Sequence, residues 1–155
     1  MGNLTEEVEL VKLEDRNEIL RRQVIETWTK DGVPMSVAFV PTPKDERKLS
    51  TDRERASAQK SFERYEEAMG TAPNATWGIS IGEVLDANQA LVQELREAGQ
   101  LIVIDDADVD HNHEDHASVC FPDMPLSKNQ ERKSYERLGK DLKRVAIERG
   151  KLFTR

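Results

Sequence analysis

All three histidines of this 155-residue chain fall within six positions, His111-Asn112-His113-Glu114-Asp115-His116, directly after Asp105, Asp106, Asp108 and Asp110. Imidazole nitrogens and carboxylate oxygens are the usual protein ligands of zinc and related divalent ions. His111, His113, Asp115 and His116 are therefore the candidate ligands of a zinc or manganese site. Glu114 is a further candidate ligand or base, and the chemistry expected of such a centre is metal-assisted hydrolysis. The plainer alternative is a solvated acidic connection between two strands, whose imidazoles titrate near neutral pH and bind metal only weakly.

A second chemistry lies in the distribution of charge. Residues 83–123 hold eleven acids against Arg96 alone, giving −10, whereas residues 124–155 hold ten bases against four acids, giving +6. Arg132, Lys133, Arg137, Lys140, Lys143 and Arg144 are the candidate residues for binding a protein partner or a nucleic acid. Glu131, Glu136, Asp141 and Glu148 are interleaved with them. Helical pairs such as Glu136 with Lys140 neutralise part of the charge, and the remainder can face the acidic 83–123 region. The whole chain carries −7, which favours a protein partner over nucleic acid.

Composition excludes several other classes. With 37% hydrophobic and 34% charged residues the chain can bury a modest core under a heavily charged surface. Its longest apolar run, Leu101-Ile102-Val103-Ile104, is far short of a membrane span, and its acidic start lacks the pattern of a secretory signal, so a cytoplasmic protein is expected. Cys120 is the only cysteine, which excludes an internal disulfide and any Cys-rich zinc site, and its neighbours Val119 and Phe121 mark it as a buried, inert residue. No Gly-x-Gly-x-x-Gly, Walker lysine loop or Gly-x-Ser-x-Gly elbow is present, so phosphate cradling and serine hydrolysis have no support.

The elements that must position these residues follow from spacing. Residues 4–22 are ambiguous: Leu4, Val8 and Val11 give a helical stripe, while Val8, Leu10 and the intervening acids also fit strand alternation. Val24, Ile25, Thr27 and Trp28 predict a strand over 23–29; Asp31-Gly32 predicts a tight hairpin turn, and Ser36 to Val40 the returning strand. Thr51-x-x-Glu54 has the form of a capping box, and Ala58, Phe62, Tyr65 and Met69 form the stripe of the helix that should follow, ended by Gly70. Thr76 to Ile81 alternates as a strand. Asp86 is placed to cap a helix carrying Ala87, Leu91, Leu95 and Ala98, ended by Gly99. Residues 101–104 and 117–121 read as two further strands joined by the histidine segment. Ser127-x-x-Gln130 opens a long final helix with Tyr135, Leu138, Leu142, Val145 and Ile147 inward and Gly150 as its stop. Trp28, Trp77, Tyr65 and Phe39 lie in apolar patterns and read as core.

Certain of these segments resemble known proteins. Ile19-Leu20-Arg21-Arg22, Ser36-Val37-Ala38-Phe39, Leu49-Ser50 and His116-Ala117 look like the pattern of some small bacterial proteins of unknown function, which implies no activity. His111-x-His113-x-Asp115-His116 resembles the His-x-His-x-Asp-His segment of the metallo-β-lactamase-like hydrolases. That resemblance implies His111 and His113 on one metal and Asp115 and His116 on a second, although the family's downstream histidines have no counterpart here. The His-x-His pair is also similar to the zinc deubiquitinase-like metalloproteases, with Asp123 as a later ligand and Glu83 or Glu67 as the catalytic glutamate; Cys120 stands where that family has serine. Asp106-x-Asp108-x-Asp110 copies half of an EF-hand loop, but His111 replaces its turn glycine and Ala117 its last ligand, so the loop cannot close on calcium.

The expectation is a single α+β domain over 1–155: a mostly antiparallel sheet with helices packed on one face and a long C-terminal helix. The expected function is a non-enzymatic accessory or protein-interaction module, with the metal hydrolase and the nucleic-acid binder as alternatives. No membrane partner is expected.

Overall fold

The computed structural model describes residues 11–42, 45–87, 93–107, 109 and 112–155, the side chains of Glu94, Leu95 and Ala98 excepted. The strands are β1 Val11–Lys12, β2 Ile19–Val24, β3 Thr29–Lys30, β4 Val33–Pro34, β5 Lys48–Asp52, β6 Ala75–Ser80, β7 Ile102–Asp105 and β8 His116–Cys120. The helices are α1 Ala58–Met69, α2 Ile81–Asp86, α3 Gln93–Ala98 and α4 Lys128–Arg149, with 3-10 turns at Glu26–Trp28 and Ser36–Phe39. Six strands form one antiparallel sheet in the order β1-β7-β8-β5-β2-β6, and β3 and β4 form a separate two-stranded sheet.

Register divides the sheet into an apolar and a polar face. Leu20 pairs with Ile79, Arg22 with Trp77 and Val24 with Ala75. Leu49 pairs with Val119 and Thr51 with Ala117, and Val119 pairs again with Val103. Side chains alternate along a strand, so these residues share one face. Phe39 of the second 3-10 turn, Ile81 and Val84 of α2, and Leu138, Leu142 and Ala146 of α4 complete the core against it. The residues between them, Arg21, Gln23, Asp52, Thr76, His116 and Ser118, fall on the other face.

Helix α1 covers that polar face. Oγ of Ser61 donates to Oδ2 of Asp52 at 2.6 Å and accepts from Nε2 of Gln23 at 2.7 Å, while Thr76 donates to Oε1 of Gln23 at 2.7 Å. Phe62, 1% exposed, stacks edge-on against Phe153 with ring centroids 5.0 Å apart. The α+β class, the antiparallel sheet and the long C-terminal helix are as expected. The helices are shared between the two faces, α4 and α2 on the apolar side and α1 on the polar side.

Several boundaries differ from those the sequence predicts, each for a visible reason. The helix expected over 4–22 is absent from its described part, because Leu20 and Val24 satisfy the alternation of β2, leaving Arg21 and Gln23 for the polar face. The strand expected over 23–29 ends at Val24. Ser36–Phe39 is a 3-10 turn instead of a strand, since the adjacent pair Ala38 and Phe39 is buried where alternation would bury only one. The tight turn is present, with φ of 55° at Asp31 and 80° at Gly32. Thr51 caps no helix: it lies in β5 and donates to the Ala117 carbonyl at 2.9 Å, while Glu54 accepts from the Ile19 amide at 2.6 Å. Ser57 caps α1 in its place, accepting from the Lys60 amide at 3.0 Å. Asp86 ends α2, whose cap is Ser80 in a reciprocal box with Glu83. The box Ser127/Gln130 opens α4 as expected. The residue Leu91 lies outside the described residues, as do the side chains of Leu95 and Ala98.

Candidate functional site

Two features of the sequence invite function, and the fold sets them on opposite sides of the sheet. His111, Asp108 and Asp110 lie outside the described residues. His113 and His116 are brought together with ring centroids 5.6 Å apart, edge to face. His116 opens β8 on the polar face; His113 and Asp115 belong to the turn that leads into it, folded against α1.

Each imidazole is held by its own aspartate. Nδ1 of His113 accepts from Arg64 at 2.8 Å and from the Asp115 amide at 3.1 Å, which leaves the ring proton on Nε2, 2.9 Å from Oδ1 of Asp52. His116 donates through Nδ1 to Oδ1 of Asp106 at 2.7 Å, and Ser118 donates to the other oxygen of Asp106 at 2.6 Å. Nε2 of His116 has no hydrogen-bond partner among the described residues. Asp115 is clamped by bases: Arg55 binds its Oδ1 and Arg64 its Oδ2, both at 2.8 Å, with Lys60 at 3.8 Å, and Arg55 also donates to the Glu114 carbonyl.

The electrostatics follow from this packing. Burial lowers the pKa of His113; the Arg64 and His116 charges add to that effect and the carboxylates of Asp52 and Asp115 oppose it. Burial works to raise the carboxyls of Asp106 and Asp115, but hydrogen bonds outweigh it, from His116 and Ser118 in one case and from Arg64 and Arg55 in the other, and both lie below the ordinary range. The Cys120 thiol is pushed up by its burial, as an inert cysteine should be, but it sits on the polar face, half-buried, and not in the core. The donor set is thus largely engaged. Both nitrogens of His113 and both oxygens of Asp115 and Asp106 have partners, and among the described residues no three His, Cys, Asp or Glu side chains converge as metal ligands.

The second feature is the outer face of α4. Arg132, Lys133, Arg137 and Lys140 are exposed and Lys143 is half-buried, and none of the five has an ion-pair partner among the described residues. Arg144 is tied to Asp141 at 2.8 Å and Glu148 at 3.2 Å. The expected pair of Glu136 with Lys140 is not formed. The helix meets the 83–123 region through one described ion pair, Arg149 with Glu83 at 2.7 Å, so most of its charge faces outward.

Beside this row runs a groove of about 400 Å³ lined by Ser36, Lys140, Lys143, Arg144, Ile147 and Glu148. Met35 and Val37, 39% and 46% exposed, stand on either side of Ser36 in the chain. Spacing alone places Ile147 in the core; it is half-buried and lines this groove instead. Neither the groove nor the clamp around Asp115 is visible in the sequence, because Arg55, Lys60 and Arg64 stand some fifty or more positions from the carboxylate they hold, and Ser36 a hundred from Lys140. The chain matches no protein-family model, no curated protein and no solved structure.

Proposed function

We propose that this protein is a cytoplasmic, non-enzymatic interaction module that holds an acidic protein partner on the outer face of α4. One observation carries the reading: Arg132, Lys133, Arg137, Lys140 and Lys143 stand on one helix with no described carboxylate to neutralise them. Unpaired cations on a rigid helix attract a polyanionic surface over a distance and fix its register on contact. An acidic protein fits better than nucleic acid, because the chain carries −7 overall and its aromatic rings are engaged internally, Trp77 and Phe39 in the core and Trp28 under Arg22.

Binding of polyglutamate and of a single-stranded oligonucleotide to the full chain, each at rising salt, tests this. The reading expects polyglutamate to bind, to weaken with salt, and to be lost in the triple variant Lys133→Glu, Arg137→Glu, Lys140→Glu. Tighter binding of the oligonucleotide would replace it with the nucleic-acid reading, and binding of neither would end both.

A zinc- or manganese-dependent hydrolase centred on His111, His113, Asp115 and His116 is the second reading. It rests on His116, whose ring is oriented by Asp106 through Nδ1 while Nε2 has no partner among the described residues, a carboxylate-oriented ring like those of metal-binding imidazoles. Elemental analysis of the native chain and of the variant with the three histidines changed to alanine decides it: bound metal lost in the variant supports the centre, and a metal-free native chain excludes it.

A further inference from the structure

The groove beside α4 differs from the rest of the basic face in having an apolar wall. Ile147 lines it together with Ser36, whose chain neighbours Met35 and Val37 are both exposed. Only four large hydrophobic side chains are exposed among the described residues, and two of them flank the lining residue Ser36 in the chain. Core demands do not explain that exposure, since Ala38 and Phe39 of the same turn are fully buried. A charged helix face that served only solubility has no use for an apolar slot between its lysines.

Charge fixes what such a slot can accept. Lys140 and Lys143 stand at its rim without ion-pair partners among the described residues, whereas Arg144 is occupied by Asp141 and Glu148. A bare hydrocarbon ligand would leave the two ammonium groups unanswered, and a purely acidic ligand would leave Ile147 in water. A segment that carries carboxylates on both sides of one apolar side chain satisfies both.

We infer that the groove between α4 and the Ser36–Phe39 turn is the specificity pocket of the docking face, and that it takes a partner peptide in which a single large aliphatic residue is flanked by acids. The apolar side chain lies against Ile147 beside Met35 and Val37, and the flanking carboxylates meet Lys140 and Lys143. This deepens the proposed function and rests on it. The remaining cations, Arg132, Lys133 and Arg137, steer the partner and hold its acidic continuation along the helix.

The probes are two short peptides of alternating Glu and Ala, one with a central Leu and one with Ser in that place, titrated against the full chain at low salt. The Leu peptide is expected to bind about tenfold more tightly, the size expected from burying one aliphatic side chain. Ile147→Ser and Val37→Ser should each reduce that preference while leaving the Ser peptide unchanged, and thermal unfolding checks that both variants are folded. Because Val37 is exposed, its variant keeps the test open if Ile147→Ser is unstable. Equal binding of the two peptides, or a preference that survives both substitutions, overturns the pocket and leaves the basic docking face standing. Failure of both peptides to bind overturns the docking face with it.

Discussion

Nε2 of His113 lies 2.9 Å from Oδ1 of Asp52, which joins the turn before β8 to the last residue of β5 beneath α1. The other oxygen of Asp52 accepts from Ser61 at 2.6 Å, so one largely buried carboxylate holds a loop, a strand and a helix together. Removing it strands two donors at once. Asp52→Ala is expected to destabilise the fold by about 1–3 kcal/mol, the cost of leaving the buried Ser61 donor unpaired, with a smaller contribution from His113, a third of whose side chain reaches water. Asp52→Asn, which keeps an acceptor, should cost less. Denaturant unfolding of the two variants measures both, and an Asp52→Ala variant as stable as the native chain would show that the carboxylate is not the organising group.

Gly139 sets how closely α4 approaches the 3-10 turn. A methyl group there would clash with Cγ2 of Val40 and meet the Ser36 carbonyl oxygen at 3.0 Å. Helix propensity alone says that Gly139→Ala should stabilise α4 by about 1 kcal/mol. The clash predicts the opposite sign, a loss of about 1–3 kcal/mol as the helix is pushed off the turn. A melting temperature above that of the native chain would mean that the packing here is looser than the distances require.

The helix cap distinguishes which of two serine or threonine residues starts α1. Ser57→Ala removes the acceptor for the Lys60 amide and should cost about 1 kcal/mol. In Thr51→Val the loss is of the hydroxyl bond to the Ala117 carbonyl inside the sheet, and the helix content is expected to be unaffected. Circular dichroism of the two variants separates a frayed helix from a weakened strand pair.

These contrasts show what a chain of this kind discloses before it folds. The long helix α4 was legible because its signals are local and agree: a reciprocal box at Ser127 and Gln130, an inward row of Leu138, Leu142 and Val145, and Gly150 at φ 90°. The Asp31-Gly32 turn was legible for the same reason. Thr51-x-x-Glu54 misled because a capping box is only a pair of polar residues at a spacing, and here Ala117 and Ile19, distant in sequence, claimed both. The strand β2 was hidden because its outward residues, Arg21 and Gln23, are bound by α1 and its preceding loop, not by water: Arg21 donates to the Ala56 carbonyl and Gln23 to Ser61. At the histidines the sequence identified the residues but not their partners. The aspartates before them in the chain gave one true neighbour, Asp106, whereas Asp52 and Arg64 came from elements about fifty positions or more away.

Acid sensitivity follows from carboxylates whose protonation the fold resists. Glu18 is held below the ordinary range chiefly by the hydrogen bonds of Arg53, and Glu83 by Arg149 and the Ser80 amide acting against its burial. A folded pKa lower than the unfolded one means that the unfolded chain binds more protons in that interval. The resulting stability is complete above the ordinary carboxylate range and is lost as pH falls through it toward the folded values. The native chain should therefore lose unfolding free energy steadily below about pH 5, the ordinary upper edge of carboxylate titration. The double variant Glu18→Gln, Glu83→Gln should be less stable at neutral pH yet lose less on acidification, so the two stability profiles converge at low pH. Partial exposure of both pairs keeps the neutral-pH difference small, about 1 kcal/mol for each. Denaturant unfolding across the acid range reads the profiles, and parallel curves would show that neither glutamate is linked to folding.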